Sequence, residues 1–154
     1  MMDALIVFKV LPGFLVAFPI FWITIVFLVS RLGGWARLAS QFSADNPPSG
    51  DKFSWHSAHL NRLGRYGNCV TVTVSSQGVH MQTILIFRFG HKAIFLPWGA
   101  ISNMTRSTFL GFSRTKLTVD DDNGQRTSWI TLYGNSLTKG LQRHAPTRLK
   151  VHAL

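Results

Sequence analysis

The chain contains no glutamate, and its six acidic residues are all aspartates. Paired carboxylates for acid and base catalysis are therefore scarce, and the only acidic cluster is Asp120, Asp121 and Asp122. Three carboxylates at a hairpin tip can gather a hard cation such as Ca²⁺. Neighbouring residues at a strand end point in different directions, however, and no further oxygen ligands are spaced around these three. We therefore predict a solvated turn.

The sequence also has only one cysteine, Cys69. One thiol cannot form an internal disulfide, so nothing demands an oxidising compartment. At the start of an apolar strand, Cys69 is predicted to be a small buried residue. There is no Gly-x-Ser-x-Gly elbow, and residues 64–68 have neither the length nor the Lys-Ser/Thr pair of a P-loop. We therefore predict that the protein is not an enzyme and uses no cofactor.

Charge is absent from residues 10–30, VLPGFLVAFPIFWITIVFLVS. As a helix rising about 1.5 Å per residue, this run reaches the roughly 30 Å of a hydrocarbon core. It is longer than the apolar region of a signal peptide, about 7 to 15 residues, and does not end in small residues at a cleavage site. Pro12, Gly13 and Pro19 are tolerated in lipid, where they predict a bend. We predict one transmembrane anchor over residues 1–31.

Basic residues flank the charge-free run 10–30 unequally, because Lys9 precedes it whereas Arg31 and Arg37 follow it. Lys and Arg near a span favour the cytoplasmic side, so the rest of the chain is predicted to lie in the cytoplasm at the inner membrane. All but one of the 16 Lys and Arg and all but one of the six acids follow the charge-free run 10–30, which gives that part a net charge of +10. Such a surface attracts polyanions, and the nearest are anionic lipid headgroups. The anchor disfavours nucleic acid as a partner.

Residues 32–52 are predicted to form an interfacial helix and a linker. The apolar residues here recur at helical spacing: Trp35, Leu38, Ala39 and Phe42. Arg31, Trp35 and Arg37 are the residue types found at a membrane surface, and they are our membrane-interface candidates. The alternative is that the anchor helix simply continues for a turn or two into water. Residues 43–51, SADNPPSGD, combine prolines, a glycine and turn formers and are the predicted linker.

The hydrophobic period changes to two beyond the linker, as in CVTVTV, which is typical of a strand with one buried face. Strands are predicted at residues 53–60, 69–74, 78–83, 93–97, 101–107, 114–120 and 125–132. Residues 84–89 either extend the third strand or form another. Asn123-Gly124 predicts a hairpin turn. Ser136 or Asn135 is predicted to cap a short helix that runs to about His144, followed by a basic tail over residues 146–154.

About seven short strands followed by one helix is the order of a pleckstrin-homology (PH)-like barrel. The segments GNCVTVTVSSQGVHM, FRFGHKAIFLPWGAIS and RTKLTVDDDNGQRTSWITL resemble those of bacterial PH-like and GRAM-like domains, many of which sit beside membrane segments. In such domains an early pair of strands is followed by a hydrophobic strand that leads into an Ile/Leu-Pro-Trp-x-x-Ile stretch. The matching residues here are Leu96, Pro97, Trp98 and Ile101. The resemblance covers residues 53–142. It implies a mainly β fold, a small barrel over residues 53–145 behind the anchor. A generic small β-barrel is the alternative.

Basic residues form a stripe on the predicted strand 114–120. Alternation turns its apolar residues inward and turns Arg114 and Lys116 outward on one face. Arg106 on the preceding strand and Arg126 across the hairpin are candidates to join them. This patch suits lipid phosphates or an acidic protein partner, and the alternative is an ordinary solvated basic face.

Other residues carry weaker hypotheses. Arg62 and Arg65 are predicted near the membrane, and Arg88, His91 and Lys92 form a second basic group. Trp98 is either a core residue that closes the barrel, which we favour, or an interfacial anchor.

Our first hypothesis is a non-enzymatic, single-pass, membrane-tethered PH-like module that binds a protein partner or anionic headgroups through its basic face. One alternative is a structural subunit of a membrane complex. Another is a small membrane-bound metal enzyme that uses His56 and His59, which share a face only on a helix. A metal would need a third ligand, which only the fold can bring near, from His80, His91, Cys69 or Asp51.

Overall fold

A long apolar helix precedes a curled β-sheet in the structure of this chain, a computed structural model that describes residues 2–120, 127–149 and 152–153. Helix α1 runs over Met2–Leu32. Its part Val10–Leu32 is 23 residues long with a mean hydropathy of 2.3, so it is long and apolar enough to cross a membrane. Pro12 and Pro19 lie inside the helix, as expected of a lipid-embedded segment.

The described residues beyond α1 form one antiparallel sheet with a short parallel addition at its edge. Its strands are β1 (Asp51–Leu60), β2 (Gly64–Val74), β3 (Gly78–Thr83), β4 (Ile94–Pro97), β5 (Ile101–Phe109), β6 (Phe112–Asp120), β7 (Thr127–Tyr133) and β8 (His152–Ala153). The order is β4-β3-β2-β1-β7-β6-β5, with β8 beside β5. The seven antiparallel strands curl into a half-barrel, which confirms the mainly β fold with about seven strands.

Three predicted features of the strands need correction. Strand β2 begins at Gly64, five residues before the predicted start. The prediction missed residues 64–68 because a break in the pairing of β2 with β1 and the positive φ of Asn68 interrupt the period of two. Both faces of residues 69–74 are buried, so Thr71 and Thr73 do not face water, contrary to the prediction of one buried face. Residues 84–89 do not form a strand, since a 3₁₀ turn occupies Leu85–Phe87. The predicted Asn123-Gly124 turn lies outside the described residues.

Helix α2, Trp35–Phe42, forms where helical spacing predicts it, but it packs into the β domain. Trp35 is fully buried, its Nε1 donates to the carbonyl of Lys92 at 2.8 Å, and its ring meets Tyr66 and His91 edge-on. The prediction of Trp35 as a membrane-interface residue is therefore wrong. The apolar face of α2 fills the end of the half-barrel, and Ser43 in the following segment pairs with Ile94.

Helix α3, Asn135–His144, closes the half-barrel at its other end, as predicted. Leu137 and Leu141 are buried in the common core, and the Thr115 hydroxyl donates to that of Thr138 at 3.0 Å. Trp98 is also a core residue, whose Nε1 donates to the carbonyl of Ser75 at 3.0 Å. The favoured interpretation of Trp98 is thus confirmed.

The chain after Pro146 contacts the sheet over part of its length. A 3₁₀ turn spans Thr147–Leu149, Leu149 is buried, and Arg148 donates to the carbonyls of Trp98 and Ile101. The basic segment predicted as a tail is therefore held against the domain at this point.

The strand directions define two ends of the sheet. The β1–β2 turn and the β3–β4 connection lie at the end that meets α1, where Gly33 packs against Gly64. The β5–β6 turn, Leu110-Gly111, lies at the opposite end. We call these the helix-proximal and helix-distal ends.

Candidate functional site

One outer row of side chains crosses five neighbouring strands. The backbone register aligns Arg65, His59, Thr131, Lys116 and Thr105 on β2, β1, β7, β6 and β5. In each strand the adjacent residues point into the half-barrel, because successive side chains of a strand alternate between its faces. The row therefore faces outward as a continuous polar strip.

A second row runs beside the first, one pair of residues nearer the helix-distal end. It aligns Tyr133, Arg114 and Ser107 on β7, β6 and β5. Arg114 and Lys116 are exposed, whereas Thr115 between them is buried, which agrees with the predicted alternation. The two rows bring both predicted strand cations onto one surface.

A groove of about 490 Å³ lies on this outer surface. It is lined by the two rows together with Asn61, Arg62 and Trp129. We call it the basic groove, because Arg62, Arg65, Arg114 and Lys116 carry positive charge, and none of the described residues that line it is acidic. Four cations around one groove make it attractive to an anion.

Aromatic rings and a histidine hold the basic groove in shape. The Lys116 ammonium lies 4.6 Å from the centre of the Trp129 ring, a cation–π contact that orients the charge. The Tyr133 hydroxyl lies 3.0 Å from Nδ1 of His59. Partial burial, and then the charge of Arg65, lower the pKa of His59, so its ring is mostly neutral at pH 7.

Of the other two predicted members of the stripe, Arg106 does not line the groove and Arg126 cannot be compared with it. Arg106 pairs with Thr115 on the opposite face of the sheet, and its Nη1 donates to Gln142 of α3 at 3.5 Å. Because side chains alternate along a strand, Arg106 faces the side opposite to its neighbours Thr105 and Ser107. The prediction that Arg106 belongs to the stripe was therefore wrong. Arg126 lies outside the described residues.

Arg62 and Arg65 are groove residues that the sequence analysis assigned only to the neighbourhood of the membrane. Arg62 lies in the turn between β1 and β2, Arg65 is the second residue of β2, and the His59↔Arg65 pairing turns Arg65 onto the groove face. The segment HLNRLGR, residues 59–65, contained the signal for this placement. His59 has an outward position on its strand, and a tight turn after Leu60 brings Arg65 back beside it. It was missed because the start of β2 was placed five residues too late.

The basic groove continues toward the end of α1. Arg62 also lines a neighbouring cleft of about 270 Å³ together with Arg31 and Arg37. Arg37 additionally donates to the Ser128 hydroxyl at 3.2 Å. Positive charge therefore extends from the helix-proximal end of the domain to Arg114. Arg31 and Arg37 lie close to the end of α1, and their role at a membrane interface stays a prediction.

Comparison with known proteins assigns no family. No family model matches the chain, and no curated protein matches it in sequence. Its function is therefore inferred from the geometry of the basic groove.

The two histidines of the metal hypothesis have different surroundings. His56 packs against Phe53 and Gly134, and its Nδ1 lies 2.8 Å from the carbonyl of Ser54. His59 lines the groove and contacts Tyr133. In the part of the chain that the structure describes, no group of three or more His, Cys, Asp or Glu is placed to hold a metal ion.

The remaining metal-ligand candidates have other partners or lie in the core. Asp51 accepts hydrogen bonds from His144 and Arg143, each at 3.0 Å, and the His144 hydrogen bond is the main cause of its lowered pKa. Cys69 is buried, as predicted, and burial raises the pKa of its thiol. The metal hypothesis therefore has no geometric support among these residues.

Two buried histidines predict how stability depends on pH. Burial lowers the pKa of both His80 and His91, so the unfolded chain binds more protons than the folded one below about pH 6.5. We expect the unfolding free energy to be constant above that pH and to fall on acidification, by at most about 1.4 kcal/mol per pH unit for each ring. Thermal unfolding of the full chain in detergent, compared between pH 7.5 and 5.0, measures this. An equally steep pH dependence in His80→Gln would contradict the assignment of that ring.

Proposed function

We propose that the chain is a non-enzymatic, single-pass membrane protein whose PH-like domain binds the headgroup of an anionic phospholipid in the basic groove. The observation that carries the proposal is the set of four cations, Arg62, Arg65, Arg114 and Lys116, around one concave site with no acid among its described lining residues. A volume of about 490 Å³ falls within the range of small-molecule sites.

The chemistry of the lining favours a phosphate group. Arginine presents a planar fork of donors that matches phosphate oxygens, and lysine adds a compact charge. Arg65 and Lys116 stand on either side of His59 and Thr131 in one row, so a single anion between them meets donors from several strands. The Thr131 hydroxyl adds a neutral hydrogen-bonding group to the same site.

A lipid is favoured over a soluble anion because the groove continues toward the exit of the apolar helix. Arg62 links the groove to Arg31 and Arg37 at the end of α1. Cations just beyond a span also favour the cytoplasmic side, which supports placement of the domain in the cytoplasm at the inner membrane. The PH-like assignment is supported by the order of seven antiparallel strands followed by one closing helix.

Charge reversal in the groove tests the proposal. The full chain in a neutral detergent is titrated with short-chain phosphatidylglycerol or with phosphatidylcholine of the same length, at several salt concentrations. We expect the anionic lipid to bind more tightly and to weaken with salt. Reversing Arg114 and Lys116 to Glu should weaken that binding by about 30-fold or more, because each well-placed cation is worth about 1 kcal/mol near a lipid surface.

The matched control is Lys52→Glu combined with Lys139→Glu, which makes the same change in net charge at two exposed positions outside the groove. This variant should bind the anionic lipid nearly as tightly as the unaltered chain. Equal weakening in both variants would mean that net charge, and not the groove, attracts the lipid. If neither lipid binds, the headgroup proposal is wrong, and an acidic protein partner or a structural role in a membrane complex takes its place.

A further inference from the structure

The connection between β3 and β4 carries three large apolar side chains on its surface. Leu85 is 76% exposed, and Ile86 and Phe89 are each 55% exposed. They belong to the segment ILIFRFG at residues 84–90, which turns back on itself through the 3₁₀ turn Leu85–Phe87. We call residues 84–90 the apolar loop. Contiguous exposed apolar side chains of this size mark contact with a membrane or a partner.

The apolar loop lies against the membrane-crossing candidate helix. The Phe87 ring packs on Trp22 with 5.6 Å between ring centres, and Trp22 Nε1 lies 3.5 Å from the carbonyl of Ile86. The Ser30 hydroxyl donates to the carbonyl of Gly90 farther along the helix. Trp22 and Ser30 are eight residues apart, or about 12 Å along a helix. The loop therefore lies at the level of the last three turns of α1.

Five backbone carbonyls of the apolar loop already accept hydrogen bonds from the protein. The carbonyls of Ile84 and Leu85 accept from Phe87 and Arg88, and that of Arg88 accepts from His91. The carbonyls of Ile86 and Gly90 accept from Trp22 and Ser30 of the helix. Backbone groups without partners are costly in hydrocarbon, so this bonding suits a lipid environment.

The surroundings of the loop also fit a bilayer. A mostly apolar crevice of about 180 Å³ lies between α1 and β2, bordered by Val26, Val29 and Phe87. The exposed cations Arg88 and Lys92 flank the apolar side chains, and long basic side chains can bury their stems while their charged heads reach the headgroup region.

The geometry points to the apolar loop as a second membrane-contact element, immersed in the same leaflet as the last turns of α1. Leu85, Ile86 and Phe89 then contact lipid, and the β domain is seated on the bilayer through the loop as well as through the helix. This inference rests on the membrane-tethered part of the proposed function and not on lipid binding in the groove.

Depth-dependent fluorescence quenching tests the immersion. The full chain, with Cys69→Ser, is labelled with an environment-sensitive dye at Ile86→Cys and, separately, at the more exposed Leu85→Cys. It is placed in phosphatidylcholine vesicles that contain phosphatidylglycerol. We expect a blue-shifted emission, loss of quenching by aqueous iodide, and quenching by a nitroxide attached high on a lipid acyl chain.

The matched control is Lys139→Cys on α3, an exposed polar position outside the apolar loop. Iodide should quench this label and the lipid nitroxide should not. Val16→Cys on α1 reports whether the helix itself is in the bilayer. A lipid-quenched label at Val16 with iodide-quenched labels at both loop positions would overturn the immersion alone, whereas iodide quenching at Val16 would overturn the tether. Equal lipid quenching at Lys139 would attribute the loop signal to the dye and also overturn the inference.

Discussion

Replacing Trp35 with alanine is expected to lower the unfolding free energy of the β domain by about 3 to 5 kcal/mol, a large share of the total for a small domain. The indole is fully buried where α2 meets the sheet, it packs edge-on against Tyr66 and His91, and it donates to the carbonyl of Lys92. The substitution leaves a cavity and an unpaired carbonyl together. Urea unfolding of the full chain in detergent, followed by circular dichroism of the sheet, measures the loss.

The control for this prediction is Trp55→Ala, because Trp55 is 66% exposed. Removing it should change the unfolding free energy by no more than about 0.5 kcal/mol. If instead Trp35→Ala unfolds like the unaltered chain, α2 does not belong to the core of the domain, and a surface-lying helix is the better description.

Replacing Gly64 with alanine is expected to loosen the joint between α1 and the sheet. A Cβ at this position would lie 2.6 Å from the carbonyl oxygen of Gly33 and 2.9 Å from that of Leu60. Both neighbours are backbone atoms that cannot rotate away, so the β1–β2 hairpin must move. We expect a loss of about 1 to 3 kcal/mol in unfolding free energy, the usual cost of overpacking, measured by the same urea titration.

Gly67→Ala is the matched control in the same strand, since no atom lies within 4 Å of a Cβ built there. It should unfold close to the unaltered chain. Equal losses in the two variants would show that β2 merely tolerates glycine replacement poorly, and would contradict a specific close approach of Gly33 to Gly64.

Much of the fold was predictable because its signals are local. The alternation of Val70, Val72 and Val74 indicates a strand, and the charge-free run in α1 indicates a helix of membrane-crossing length. Turn residues indicate the limits of the later strands, and α3 ends at His144 as predicted, although its N-cap is Gly134 and not Asn135 or Ser136. Arg114 and Lys116 share a face for the same local reason, which is period-two alternation.

The rest depends on contacts between distant parts of the chain. Trp35 at the end of an apolar helix looks like an interfacial residue, and only the partners Tyr66 and His91 reveal it as core. The groove required the pairing of β1 with β7, which brings His59 beside Thr131 from 72 residues away. Alternation within one strand cannot supply that register, so the arginines of the β1–β2 turn were not joined to the stripe.

A photoreactive side chain in the basic groove tests the central claim most directly. Benzoylphenylalanine replaces Thr131, the middle of the first row, in the full chain within the membranes of an expressing bacterium, and Ser102, exposed and outside the groove, is the control position. We predict a phospholipid adduct at position 131 that is lost when Arg114 and Lys116 are reversed to Glu, and none at position 102. A protein adduct at position 131, or no adduct there, would contradict a groove that binds lipid headgroups.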